Sequence, residues 1–207
     1  MRDFSIISVT LITIFLTIRY IWQLVKKEIQ PALAMWIMFS IAVGMSLITY
    51  LAEDSYGFLD NIMNTVDVFY VVTISVAIAI FGGKSSKITR FDKGCLLVVL
   101  LIVVFWIFTQ NHLVTNFLVQ SILVIAYFPV IKRLLETRKN TEPFLIWIGM
   151  LIAPVFSLLS SKGLLATVYS VRAIICVGLL LLLMFWVEIS EKNPKKNNLK
   201  NLDFQKH

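Results

Sequence analysis

The sequence holds few of the residues that carry metal, redox or hydrolytic chemistry. It has two cysteines and two histidines in 207 residues, with no C-x-x-C pair and no His/Cys/Glu set at metal-ligand spacing. Cys95 and Cys176 lie at or within apolar segments, where a free cysteine behaves as a small apolar side chain. A P-loop, a Ser–His arrangement and a second aspartate deep inside an apolar run are also missing. The sequence therefore predicts no enzyme activity, no metal site and no cofactor.

Charged residues are scarce as well. They make up 15% of the chain against 58% hydrophobic residues, and the mean hydropathy is +0.85, which excludes an ordinary soluble domain. Apolar runs of about 17–25 residues recur, the length that crosses roughly 30 Å of hydrocarbon. Because an isolated strand cannot satisfy its backbone in lipid, these runs are predicted to be helices. The predicted spans are 4–25, 31–52, 61–82, 94–110, 113–134, 143–161 and 164–188.

The segments that connect the predicted spans alternate in charge along the chain. Lysines and arginines fall in every second connection and in the tail. The other connections carry Glu53, Asp54 and Asp60, with only Arg2 and Lys162 as basic residues. The positive-inside rule then places the N-terminus outside and the C-terminus in the cytoplasm, and we expect a bacterial cytoplasmic (inner) membrane. The net charge of +7 is thus a topology signal, which makes the lipid bilayer the expected partner and nucleic acid an unexpected one.

Polar side chains interrupt the third, fifth and seventh spans at helical spacings of three or four. They are Asn61, Asn64, Asp67 and Tyr70, then Asn116 and Gln120, then Tyr169 and Arg172. Each group lies on one face of its helix. An ionised side chain inside a bilayer costs roughly 2.5–3.5 kcal/mol, and Asp67 and Arg172 lie at similar depths. We expect these two to face the interior together, either in a shared polar cavity or as a static ion pair.

The two ends of the chain contain similar segments. Each segment runs from a tyrosine through a basic pair and a proline to a tryptophan: Tyr20, Lys26-Lys27, Pro31 and Trp36, then Tyr127, Lys132-Arg133, Pro143 and Trp147. Coincidence among apolar helices is the alternative explanation. An internal repeat predicts an all-α integral membrane protein of seven transmembrane helices. Its helices 1-2-3 and 5-6-7 would form two parallel bundles joined by linker helix 4, which has no polar residue before Thr109.

This repeat predicts four regions. Residues 1–82 form the first three-helix bundle, and residues 83–111 form a basic cytoplasmic loop and linker helix 4. Residues 112–188 form the second three-helix bundle. Residues 189–207 are rich in lysine and asparagine, a composition typical of a disordered tail.

The arrangement resembles the SWEET sugar transporters and the wider PQ-loop proteins. Pro129-Val130, the basic turn after it and Thr137-Arg138-Lys139 resemble the Pro-Gln, basic turn and Thr-Lys-Ser pattern of that family. Val130 replaces the motif glutamine, and the first copy has Trp22-Gln23 without the proline.

The resemblance implies that substrate lies between the two bundles. It also implies that a tryptophan on each second helix and an amide or its equivalent on each third helix line the site. Carried over by position, it nominates Trp36 and Trp147, Asn64 or Asp67, and Arg172. Arg172 stands where an uncharged amide is more usual for a neutral sugar.

The function predicted first is a carrier or facilitator for a small polar solute, such as a sugar, an amino acid or a vitamin-like compound. It would work by alternating access around a midplane site, with Pro129 and Pro154 as hinges. The predicted substrate-binding residues are Asn64, Asp67, Arg172, Trp36, Trp147, Asn61, Tyr70, Asn116, Gln120 and Tyr169.

The alternative is a non-transporting membrane sensor or docking protein with a structural Asp67–Arg172 lock. In that case Trp36 and Trp147 are ordinary interfacial tryptophans. The sequence leaves the solute unidentified and a homo-oligomer open.

Overall fold

The structure is a computed structural model that describes residues 1–29, 31–53, 56–82, 88–109, 111–140 and 142–192. Within these ranges every regular element is a helix. The elements are α1 Arg2–Val25, α2 Leu33–Glu53, a 3₁₀ turn Phe58–Asn61, α3 Ile62–Phe81, α4 Arg90–Thr109, α5 His112–Ile125, α6 Phe128–Thr137, α7 Phe144–Ser157 and α8 Gly163–Lys192. Residues 83–87 of the predicted basic loop and 193–207 of the predicted tail lie outside the described residues.

Six helical stretches of the described chain are long and apolar enough to cross a membrane. They are Arg2–Val25, Leu33–Glu53, Phe58–Phe81, Arg90–Thr109, His112–Thr137 and Gly163–Glu191. The predicted all-helical chain with membrane-spanning helices agrees with this result. The sixth predicted span, 143–161, is represented by the shorter α7, whose 14 residues measure about 21 Å at 1.5 Å per residue.

Two prolines explain the interrupted helices. Pro129 lies in the first turn of α6, where its missing N–H leaves the carbonyl of Ile125 without a helical donor, and the fifth span accordingly turns between α5 and α6. Pro154 lies inside α7 and close to its end. Its carbonyl accepts hydrogen bonds from the Leu158 N–H (3.2 Å) and from Ser157 Oγ (2.8 Å), so the last turn of α7 closes there.

The helices pack in a pattern that repeats along the chain. α3 contacts both α1 and α2, and α8 contacts α7 as well as α5 and α6. The two sets meet along two seams, one between α1 and α7 and one between α2 and α5, while α4 contacts α2 and α5. Since α3 also touches α7 and α8, the space enclosed by α2, α3, α5, α7 and α8 is the centre of the molecule.

A glycine allows the close approach along the α1–α7 seam. A Cβ added at Gly149 would lie 2.5 Å from Leu16 Cδ2, and Leu16 is itself buried. Nearer the start of α1, the buried Ser5 hydroxyl donates to the Phe156 carbonyl (2.7 Å) and shares a 2.7 Å hydrogen bond with Ser160 Oγ. The seam is therefore tight in the middle and hydrogen-bonded near one end.

The two ends of the helix bundle differ in charge. One end gathers the connections after α1, α3 and α6, because Leu33, Arg90 and Arg133 line one surface pocket there; we call it the basic end. The opposite end holds the start of α1, the 3₁₀ turn and the turn between α7 and α8, which meet through Arg2, Asp60 and Lys162. The basic and acidic connections that alternate along the sequence therefore lie at two opposite ends of the molecule.

Candidate functional site

A small cavity lies at the centre of the molecule. Most of its wall is apolar, and four polar side chains reach it: Asp67 from α3, Tyr127 from the α5–α6 turn, and Tyr169 and Arg172 from α8. Its volume is about 30 Å³, which holds about two water molecules. A pocket for a small-molecule ligand usually measures roughly 300–1,000 Å³, so this cavity is too small for such a ligand in this structure.

Tyr169 lies between the two charged side chains of the cavity. Its hydroxyl donates a 2.8 Å hydrogen bond to Asp67 Oδ2, and the guanidinium carbon of Arg172 lies 4.9 Å from the centroid of its ring. The ion pairs found among the described residues do not include Asp67 with Arg172. The two side chains predicted to lie at one level therefore do so, but a tyrosine bridges them instead of a direct ion pair.

Arg172 is anchored to α5 through an amide. Its Nε donates to Gln120 Oε1 at 3.0 Å. Gln120 Nε2 in turn donates to Asn116 Oδ1 (3.1 Å), one turn earlier on α5, and to Ser46 Oγ on α2 (3.3 Å). The polar face that was predicted for the fifth span, Asn116 and Gln120, thus holds Arg172 of α8 in place.

The hydrogen-bond network continues into α2 and α3. Asn116 Nδ2 donates to Thr49 Oγ1 (2.9 Å) and to the Ser46 carbonyl (3.2 Å), and the amide of Asn64 lies 3.0 Å from Ser46 Oγ. All four residues are buried, and hydrogen bonding of this kind is what makes buried polar side chains tolerable. The network therefore links α2, α3, α5 and α8 and ends at the cavity.

Two predicted site residues have other roles. Asn61 caps α3, because its side-chain oxygen accepts from the Asn64 N–H at 3.4 Å. The Tyr70 hydroxyl donates to Met150 Sδ at 3.7 Å, and its ring centroid lies 5.5 Å from that of Trp36. Neither residue lines the central cavity, although Met150 does.

Trp36 and Trp147 are fully buried on the basic-end side of the cavity. Trp36 contacts Phe39 edge to face, with centroids 5.9 Å apart. Phe39 contacts Tyr127 at 5.1 Å, and Tyr127 contacts Trp147 at 6.0 Å. We call these four residues, with Tyr20 beside Trp36 at 5.2 Å, the aromatic layer.

The aromatic layer lies against the cavity on the basic-end side. Phe39 and Tyr127 form part of the cavity wall, whereas the two tryptophans stand behind them. Full burial excludes Trp36 and Trp147 from an exposed interfacial belt, which was the alternative expectation. In this closed form they do not contact the space around Asp67.

A buried acid lies at the basic end behind the layer. The side chain of Glu142 has no exposed area, and it is paired with Arg133. Glu142 Oε2 also accepts from Trp147 Nε1 at 3.4 Å. Burial raises the pKa of Glu142 to about 7, against the opposing effect of the Arg133 guanidinium. Glu142 was not among the predicted site residues; the sequence signal that could have found it is an acid next to a proline, Pro143, after a basic turn.

A cluster of three charged residues connects the helices at the end of the molecule opposite the basic end. Asp60 Oδ1 accepts from Arg2 Nη2 at 2.8 Å and from Lys162 Nζ at 2.9 Å. The Lys162 backbone is held as well, since its N–H donates to the Asp60 carbonyl (2.9 Å) and its carbonyl accepts from the Tyr50 hydroxyl (3.1 Å). The basic end of the molecule is thus held together by aromatic packing, and the opposite end by charge pairs and hydrogen bonds.

The predicted hinge prolines flank the site without entering it. Pro129 and Pro154 are both buried and lie at the two helix interruptions described above. Beside Pro154, Ser157 Oγ shares a 2.7 Å hydrogen bond with Ser170 Oγ on α8. Any bending at Pro154 therefore acts on α8, the helix that carries Tyr169 and Arg172.

Comparison with known proteins gives no relative. No protein-family model, no curated protein and no solved structure matches this chain.

Proposed function

We propose that the protein is a membrane carrier for a small polar solute that binds between its two halves at Asp67 and Arg172. The observation that supports this most strongly is the placement of an acid from α3 and a base from α8 at one small cavity. The two charges are separated by the Tyr169 ring instead of neutralising one another directly. Intramembrane charges of this kind typically mark a solute or ion pathway.

The proposed architecture is a pair of parallel three-helix bundles, α1–α3 and α5–α8, with α4 as the linker. In each bundle the third helix contacts the other two. The α1–α7 seam joins the first helix of one bundle to the second helix of the other, and the α2–α5 seam does the reverse. Exchange of the two bundles therefore reproduces the same contacts, as expected for a parallel repeat. Kinship with SWEET and PQ-loop proteins and an N-out/C-in orientation belong to this proposal.

Alternating access requires that the two closures open in turn. The aromatic layer would open toward the cytoplasm, and the Asp60 cluster would open toward the other side, with Pro129 and Pro154 absorbing the bending. A cavity of about 30 Å³ fits the closed intermediate of such a cycle. The solute class follows from the side chains: Asp67 suits a hydroxyl or an ammonium group, and Arg172 suits a carboxylate or a hydroxyl.

Ligand binding to the purified protein tests the proposal. Thermal unfolding is measured against a panel of sugars, amino acids, nucleosides and vitamins, in the wild type, in Asp67→Asn and in Asp3→Asn. A ligand at 100 times its dissociation constant adds about 2.7 kcal/mol of stability. We expect a stabilising compound whose effect disappears in Asp67→Asn and persists in Asp3→Asn, the matched change at an exposed position of α1.

A second candidate function is a membrane sensor or docking protein that transports nothing. The small volume of the cavity and the complete hydrogen bonding of Gln120 and Asn116 favour it. It predicts no stabilising compound in the panel and a severe loss of stability in Asp67→Asn. The same experiment therefore distinguishes the two functions.

A further inference from the structure

Glu142 occupies an unusual position for an acid. Its side chain is completely buried at the start of α7, and two donors from its own half reach it: the Arg133 guanidinium and Trp147 Nε1. Its backbone N–H donates to Asn140 Oδ1 at 3.0 Å, which fixes the turn that carries it. The carboxylate is therefore built into the structure and is not a mobile surface charge.

Two further polar groups belong to the aromatic layer itself. Among the described residues, the Tyr20 hydroxyl and Trp36 Nε1 are buried and make no hydrogen bond of regular geometry, although the two side chains interact with each other; native proteins generally avoid such poorly satisfied groups. Tyr20 interacts electrostatically with Glu142 and with Tyr70. These groups belong to the first half of the chain, so Glu142 lies where the two halves meet at the basic end.

The same electrostatic contacts connect Glu142 to the central site. Tyr70 interacts with Glu142 on one side and with Asp67 on the other. Asp67, Tyr70, Tyr20 and Glu142 therefore influence one another electrostatically across the aromatic layer. Titratable groups coupled in this way inside a membrane protein are typical of proton pathways.

We propose that Glu142 is a proton-binding site that controls the basic-end closure, and that proton binding there is coupled to solute movement. The coupling rests on the proposed carrier function, whereas proton binding does not. When protonated, Glu142 is neutral and keeps its buried place beside Arg133 and Trp147, and the aromatic layer stays packed. Release of the proton to cytoplasmic water breaks the O–H bond and leaves an ionised carboxylate in that buried place. Because burial disfavours the charge more than Arg133 favours it, the layer then separates.

The surroundings of Glu142 define its pH response. The charged and titratable groups that face it are Arg133 on α6, Tyr20 on α1 and Tyr70 on α3. Burial raises its pKa to about 7, so its charge changes near neutral pH. Arg133 carries the positive charge that opposes protonation, so its removal should keep Glu142 protonated and the layer packed up to a higher pH.

Accessibility of a cavity cysteine tests the proposal without any solute. Ala173 lines the cavity and is 6% exposed. Ala173→Cys is made in the full chain with Cys95→Ala and Cys176→Ala, and the purified protein is labelled with a small maleimide at pH 6 and pH 8. Each rate is divided by that of an exposed reporter, Lys139→Cys in the same background, which removes the intrinsic pH dependence of the thiol.

We expect the normalised rate to be about tenfold higher at pH 8, since one group that titrates near pH 7 is about 10% ionised at pH 6 and about 90% ionised at pH 8. In Glu142→Gln, which imitates the protonated acid, the rate should be low at both pH values. Equal rates for the wild type, or an unchanged pH dependence in Glu142→Gln, would overturn the proposal.

A second variant keeps the test decisive if Glu142→Gln does not fold. Arg133→Gln retains the acid but removes its cation, so the midpoint of the accessibility change should move to higher pH. A midpoint that stays in place contradicts the proposal.

The two proposals can fail separately. A Glu142-dependent pH response without any stabilising solute would refute the carrier and keep the proton site. A solute that binds without a pH response would keep the carrier and refute the proton site.

Discussion

The Tyr169 hydroxyl on α8 donates a 2.8 Å hydrogen bond to Asp67 on α3, so a side chain from the second half of the chain holds the acid of the first. The same tyrosine ring lies 4.9 Å from the Arg172 guanidinium carbon. One residue therefore contacts both charged groups of the cavity and keeps them apart. Removal of its hydroxyl affects the acid alone.

Tyr169→Phe should lower the free energy of unfolding by about 1–3 kcal/mol, because it leaves a partly buried carboxylate without its donor. Combined with Asp67→Ala, which removes the acceptor, the loss should be smaller than the sum of the two single losses, since both changes remove one interaction. Thermal unfolding of the purified variants measures both effects. Tyr56→Phe, a partly exposed tyrosine stacked on Tyr50, is the matched control. Additive losses would show that the hydrogen bond is not formed.

Gln120→Leu should destabilise the protein by about 1–3 kcal/mol, because the Arg172 Nε and the Asn116 side chain both lose their amide partner in a buried place. Ser121→Ala is the control on the next residue, where the hydroxyl is exposed and bonds only to its own helix at Phe117; a change there should stay within about 0.5 kcal/mol. Chemical unfolding in a mild detergent measures the difference. Equal stability of the two variants would contradict the network.

Gly149→Ala should weaken the α1–α7 seam by about 1–3 kcal/mol, because the added methyl overlaps with the buried Leu16. Gly44→Ala adds the same atom where no other group lies within 4 Å, so its stability should be unchanged or higher. Leu16→Ala should partly rescue Gly149→Ala, although it is destabilising alone. If unfolding measurements show no rescue, the loss of stability in Gly149→Ala does not come from its contact with Leu16.

The wild type should become less stable as the pH rises through 7. The pKa of Glu142 is about 7 in the folded protein and 4.5 as its ordinary value, so between these values the folded chain holds a proton that the unfolded chain has released. This contribution is fully present below about pH 4.5 and is lost above pH 7, and it amounts to about 3 kcal/mol. Unfolding between pH 5 and pH 8 measures it, and Glu142→Gln should show a smaller slope. An equal slope in both proteins would assign the pH dependence to other groups.

The helices could be predicted because charge and apolar length determine where a chain enters and leaves lipid. The predicted spans 4–25, 61–82 and 113–134 correspond to Arg2–Val25, Phe58–Phe81 and His112–Thr137. The errors have local causes. Pro129 interrupts the fifth span with a turn, α7 ends soon after Pro154, and α8 continues to Lys192 past the predicted end at 188.

The site could be predicted only in part, because spacing identifies a polar face but not its partners. Asn116 and Gln120 were recognised as one face, but their contacts with Ser46 and Thr49 were not. In an apolar helix a threonine commonly bonds its own backbone, as Thr49 does to the Met45 carbonyl at 2.9 Å, so its sequence pattern does not reveal a further partner. The position of Tyr169 between Asp67 and Arg172 depends on side-chain conformation, which no sequence spacing determines.

Uptake into proteoliposomes is the most direct test of the central claim that the protein carries a polar solute at Asp67 and Arg172. Labelled sugars, amino acids, nucleosides and vitamins are offered to vesicles that contain the wild type, Asp67→Asn or Asp3→Asn. The carrier account predicts saturable uptake of at least one compound by the wild type and Asp3→Asn, and none by Asp67→Asn. No saturable uptake by the wild type, or equal uptake by Asp67→Asn, would contradict it.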